Sequence, residues 1–149
     1  MTMRQTMTTA GTVLAAAAAL ILSGGVAQAS TERVSMPVLL GSLQLAKTDA
    51  NGVTTSASLN CVRGIDVNGQ TYINGNGTVT DPTAACQELA AVNGDFTLLN
   101  VHPTWLPTAQ VAPVTATATG NWGSTSVNYS ETFNNTSALT KKTGDVFIF

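Results

Sequence analysis

The chain has 149 residues, with six basic against eight acidic side chains and a formal net charge of −2. So mild a balance excludes a basic patch for nucleic acid, a polybasic membrane stretch and an acidic tail. Only 9% of the residues are charged, so the surface must be covered largely by Thr, Ser, Asn and Gly.

The N-terminal segment reads as an export signal. Arg4 precedes an uncharged apolar run over 13–22, and Ala27-Gln28-Ala29 is the small-x-small pattern that signal peptidase accepts. The run is too short to span a bilayer, and nothing after it would stop transfer. Residues 1–29 are therefore expected to be a signal peptide cleaved before Ser30, leaving 30–149 as one secreted, extracellular domain with no membrane attachment. In an oxidising compartment the two cysteines, Cys61 and Cys86, are most simply one disulfide. Sequons at Asn76, Asn128, Asn134 and Asn135 matter only if the secreting cell glycosylates.

Along the expected domain, 38–45 is apolar and partly alternating and predicts a first strand. Asp49-Ala50-Asn51-Gly52 is turn chemistry, and 53–61 follows as a second strand with Val53, Thr55, Ala57, Leu59 and Cys61 on one face. The Asn- and Gly-rich stretch 64–80 reads as a long exposed loop, with room for a small strand pair around 70–73. Asp81 and Pro82 then open a helix over 83–92, which Asn93-Gly94 closes. Cys86, Leu89, Ala90 and Asn93 share one stripe of it, so Cys86 should face the body of the domain. Pro103, Pro107 and Pro113 punctuate an extended region, 102–113. Strands are predicted at 114–119 and 124–133, the latter with Val127, Tyr129, Glu131 and Phe133 on one side, and 145–149 is expected to end the chain as a β segment. These elements give an α+β domain with an antiparallel sheet.

Catalytic and cofactor patterns are missing from the sequence. His102, the one histidine, stands beside Pro103 with no Cys or carboxylate at a ligand spacing, so no metal site is expected. No Gly-x-Ser-x-Gly elbow, phosphate loop or dinucleotide fingerprint occurs, and no cofactor is implied. Asp49, Asp66 and Asp81 are better explained as turn or cap residues. The reading is a protein that is not an enzyme.

The order of residues resembles the Streptomyces subtilisin inhibitor family of secreted serine protease inhibitors. Gly77-Thr78, Asp81-Pro82-Thr83-Ala84-Ala85-Cys86-Gln87-Glu88-Leu89-Ala90-Ala91-Val92-Asn93-Gly94-Asp95 is similar to that family's helix region. Pro113-Val114, Gly120-Asn121-Trp122, Val127-Asn128-Tyr129, Phe133-Asn134-Asn135 and Val146-Phe147-Ile148-Phe149 follow in the same order. Leu59-Asn60-Cys61 matches as well, after which this chain carries an insertion. The resemblance implies an antiparallel five-stranded β-sheet with one longer and one short helix on one side, a homodimer formed sheet to sheet, and a reactive loop bound by an extracellular subtilisin-like protease as a substrate would be.

It further implies that Leu106, Pro107, Thr108, Ala109, Gln110 and Val111 form that loop. Ala109-Gln110 is then the scissile bond, Ala109 the primary specificity residue, and Leu106 the apolar residue three positions before it. The family's second disulfide, which ties the loop to the body, falls on Pro107 and Ser137, so both of its cysteines are absent here. Two readings stay open: an inhibitor, or a secreted binding module that keeps the fold without a rigid reactive loop. Trp105 and Leu106 read equally well as residues that pack over the sheet.

Overall fold

The computed structural model describes residues 35–149, so the expected signal peptide, 1–29, lies outside the described residues. Among the described residues, five strands form one antiparallel sheet: β1 (Val38–Thr48), β2 (Thr54–Ile65), β3 (Thr71–Gly77), β4 (Val114–Trp122) and β5 (Thr125–Phe133), in the order β3-β2-β1-β4-β5. Helix α1 spans Pro82–Ala91 and helix α2 spans Thr136–Thr143.

Local chemistry explains most of these boundaries. The β1–β2 and β2–β3 turns use the same device, an aspartate followed two residues later by Asn-Gly. Asp49 Oδ1 accepts from the amides of Asn51 and Val53, and Asp66 Oδ1 accepts from those of Asn68 and Gln70. Gly52 and Gly69 take the left-handed conformation that closes each turn, at φ 80° and 78°. Asp81 caps α1 by accepting from the Ala84 amide at 2.9 Å, with Pro82 in the first turn. At the other end Gly94, at φ 76°, donates to Leu89 O at 2.8 Å.

One sheet face is buried. Leu43, Leu45, Ala57, Leu59, Cys61, Ala116, Ala118, Val127, Tyr129 and Phe133 meet Ala85, Cys86 and Leu89 of α1 and Leu139 of α2 in a single core. The helices therefore lie on the same side, as the period-two reading of β2 and β5 requires. The Cys61–Cys86 disulfide joins β2 to α1 inside that core. The opposite face is built of Ser42, Gln44, Ser58, Asn60, Thr115, Thr117, Thr119, Asn128, Ser130, Thr132 and their neighbours, with no charged side chain among them.

Two expectations are corrected. The stretch 64–80 is not a long loop: β2 runs on to Ile65, and β3 pairs with it from Ile65↔Thr71 to Leu59↔Gly77. Backbone pairing tolerates the Asn- and Gly-rich composition because Gly75 must be glycine there. A Cβ on it would sit 2.0 Å from Pro82 O and 2.7 Å from Cys86 Sγ. The end of the chain is not a strand either. Residues Gly144–Phe147 form a 3-10 turn that buries the adjacent side chains Val146 and Phe147, which alternation cannot do. The fifth strand is thus β3.

Glu88 of α1 holds that final turn. Its Oε2 accepts from the Asp145 amide at 2.9 Å, under Gly144 at φ 56°. Burial raises the Glu88 carboxyl to about 7, against the pull of the Asp145 amide and with a further push from the Asp145 carboxylate. The ordinary value of 4.5 lies below the folded one, so the unfolded chain releases this proton first as pH rises. The stability Glu88 contributes is therefore complete below about pH 4.5 and is lost as pH passes through about 7. Across that window wild-type protein should lose Tm relative to Glu88→Gln, which still accepts from the Asp145 amide. The loss should be small, since solvent screens a half-exposed group. Thermal unfolding of both forms at each end of the window measures it.

Candidate functional site

Between α1 and β4 the chain leaves the sheet and returns as an exposed loop that carries no charged residue from Val101 to Pro113. Leu106, Pro107, Thr108, Ala109, Gln110 and Val111 are all exposed on it, Leu106 to 92%. The path turns at Pro103-Thr104 and bends at Ala109, and α2 with the residues just before it does the holding.

The loop begins on the C-terminal end of α2. The amides of Val101 and His102 donate to the carbonyls of Lys142 and Lys141, at 3.1 and 2.9 Å, meeting acceptors that a helix end leaves free. It ends where the Ala112 amide donates to Asn134 O at 2.8 Å, just before β4. In between, one side chain reaches the crest from beneath. Asn135, only 6% exposed, donates through Nδ2 to Thr108 O at 2.8 Å and to Gln110 O at 2.6 Å. Its Oδ1 caps α2 by accepting from the Ala138 amide at 2.8 Å. Both amide hydrogens and the carbonyl oxygen are thus used, and reversing the side-chain amide would set an oxygen against two carbonyls.

The two clamped carbonyls flank Ala109. The peptide between Ala109 and Gln110 is therefore held on each side by the same buried group, while the Ala109 carbonyl itself is left free of Asn135. Ser137 offers its Oγ to the Thr108 amide at 3.3 Å. The disulfide Cys61–Cys86 joins β2 to α1 and does not reach the loop. The platform beneath is fastened in turn: Lys142 of α2 pairs with Glu131 of β5, and Tyr129 OH donates to the same carboxylate at 2.8 Å.

In the sequence Asn135 is a sequon and one residue of the family-like stretch Phe133-Asn134-Asn135, with nothing that marks it as a support of the loop. An Asn immediately before a helix is a capping signal, but the loop contacts lie 25 and 27 residues away along the chain and leave no local mark. Trp105 and Leu106 do not pack over the sheet: Trp105 is 52% exposed and Leu106 nearly fully so.

An uncharged, exposed segment braced on both sides of one peptide bond makes this a loop-presenting α+β domain. The chain belongs to the subtilisin inhibitor-like family, which it matches over residues 38–135. It is 44% identical over 63 residues to a protein of Streptomyces avermitilis named as a candidate serine protease inhibitor, an overlap that spans 42% of each chain. It is 38% identical over 73 residues to subtilisin inhibitor-like protein 5 of Streptomyces fradiae, covering 49% of this chain and 68% of that one. Its fold matches Streptomyces caespitosus sermetstatin, solved in complex with Bacillus licheniformis subtilisin, with a TM-score of 0.52 at 21% identity, over 73% of this chain and 98% of that one.

Proposed function

We propose that this protein is a secreted inhibitor of extracellular subtilisin-like serine proteases, which binds its target through residues 106–111 with Ala109-Gln110 as the scissile bond. The observation that carries the reading is the double hydrogen bond from Asn135 to Thr108 O and Gln110 O. A loop already braced loses little conformational freedom on entering a cleft. When the protease serine displaces the Gln110 amine and forms an ester with the Ala109 carbonyl, both new ends would remain on the same side chain. The amine therefore stays beside that ester and re-attacks it, releasing the serine and re-forming the peptide bond faster than water hydrolyses the ester. In this reading the small Ala109 fills the primary specificity pocket, Leu106 meets an apolar subsite, and no group of the inhibitor takes part in proton transfer. The uncharged sheet face supports a homodimer, because a two-fold interface of like surfaces meets no charge repulsion there.

The test is titration of the protein lacking 1–29 against subtilisin and an elastase-type protease, alongside Ala109→Lys. Wild type should inhibit with lasting stoichiometry. The lysine form should gain tenfold or more against a trypsin-like protease, since a buried charge-assisted contact is worth about 1.5–3 kcal/mol. Rapid cleavage at Ala109-Gln110 without inhibition, in both forms, would favour the non-inhibitory binding module.

A further inference from the structure

The loop holds one large side chain that neither the brace nor the scissile region uses. Trp105 stacks face to face on His102, with ring centroids 3.6 Å apart and planes 5° from parallel. The stack is built in from the backbone: the His102 amide hangs on Lys141 O at 2.9 Å, and the Trp105 amide closes a turn onto His102 O at 3.1 Å. One indole face is thus covered by the imidazole, yet half of the residue stays exposed, next to the almost fully exposed Leu106. An exposed tryptophan fixed in one orientation is costly for a monomer to display and well suited to an interface.

We propose that Trp105 is a second specificity-determining contact of the loop, with its free indole face set against an apolar surface of the protease beside the non-primed end of the cleft, and that His102 positions it. The proposal rests on the inhibitor reading above. Trp105 lies four residues before Ala109, so along an extended chain it stands roughly 13 Å from the scissile bond, inside the footprint of an ordinary protease–inhibitor interface. The loop has no charge with which to select a target, and selection falls to the shape of its apolar side chains. Stacking on His102 means that little rotamer freedom is lost when the indole docks.

The experiment measures dissociation of the subtilisin complex, and separately the rate of hydrolysis at Ala109-Gln110 within it, for wild type, Trp105→Ala, His102→Ala and His102→Phe. Trp105→Ala should speed dissociation by tens-fold, the usual scale for truncating an aromatic anchor, with hydrolysis in the complex unchanged because the Asn135 brace is intact. His102→Ala should give a smaller increase in dissociation, and His102→Phe, which keeps a ring under the indole, should restore the wild-type rate. If wild type binds and Trp105→Ala dissociates no faster, the proposal is overturned and the inhibitor reading stands. It is likewise overturned if both rates rise together, since that would mark Trp105 as support for the loop. A wild type that fails to inhibit overturns both.

Discussion

Asn135→Ala should turn the loop into an ordinary substrate, with hydrolysis at Ala109-Gln110 faster by roughly 100-fold. Two hydrogen bonds to the carbonyls on either side of Ala109 are lost together. At about 1 kcal/mol each, with a further contribution from leaving two carbonyls without their donor, the loss comes to about 2–3 kcal/mol. Each 1.36 kcal/mol is about tenfold in rate. The alanine also uncaps α2, which costs about 1 kcal/mol of stability. Asn135→Asp separates the two effects. A carboxylate still accepts from the Ala138 amide and favours the positive end of the helix, but it cannot donate to Thr108 O or Gln110 O and sets negative charge against both. The aspartate form keeps the cap while it loses the brace, so it should lose the inhibited state as the alanine form does, and faster cleavage in both reports the brace rather than the cap. Mass spectrometry of the cleaved loop over time, with subtilisin at a catalytic amount, reads the rate. Cleavage by both variants no faster than wild type would show that the brace does not control turnover.

Removing the Cys61–Cys86 bond should lower stability by about 3–4 kcal/mol, since the link closes a 25-residue separation in the unfolded chain. For a domain of this size that is a fall in Tm on the order of 10–20 °C. Two features set the result apart from a loss of function. The bond lies in the core between β2 and α1, whereas the loop hangs on Asn134, Asn135, Ser137 and the end of α2. A chain with both cysteines changed to alanine should accordingly inhibit as wild type does while it remains folded, and a reductant should lower Tm without raising the cleavage rate below the transition. Thermal unfolding with and without reductant, paired with inhibition at a temperature where both forms are folded, checks it. A reductant that released the protease from folded inhibitor would refute the separation of scaffold and loop.

Where a feature depends on neighbours along the chain, it could be read in advance. Asp81 and Pro82 before α1, Asn93-Gly94 after it, and the Asp-x-Asn-Gly turn at 49–52 act within a few residues. The alternation that buries Ala57, Leu59 and Cys61, or Val127, Tyr129 and Phe133, is set by the pleat itself. Position 106 stands out as apolar in a proline-bounded stretch, and the structure leaves it exposed.

Other features were decided by contacts that local chemistry does not encode. Val146, Phe147, Ile148 and Phe149 have the composition of a strand, yet the sheet already has its fifth member in β3 and the core accepts a tight turn pinned by Glu88. A string of Asn and Gly scores poorly as a strand, but β3 gains its hydrogen bonds from β2 and its glycine from the nearness of Pro82 and Cys86. By itself the amino-acid order determined one helix with its caps, the faces of the long strands and a proline-punctuated loop, because those follow from spacing and backbone preference, and the pairing of the cysteines, because there are only two of them. Only the tertiary structure decided what holds the loop: Asn135 and Ser137 meet Thr108 and Gln110 across a separation that folding closes and spacing does not record.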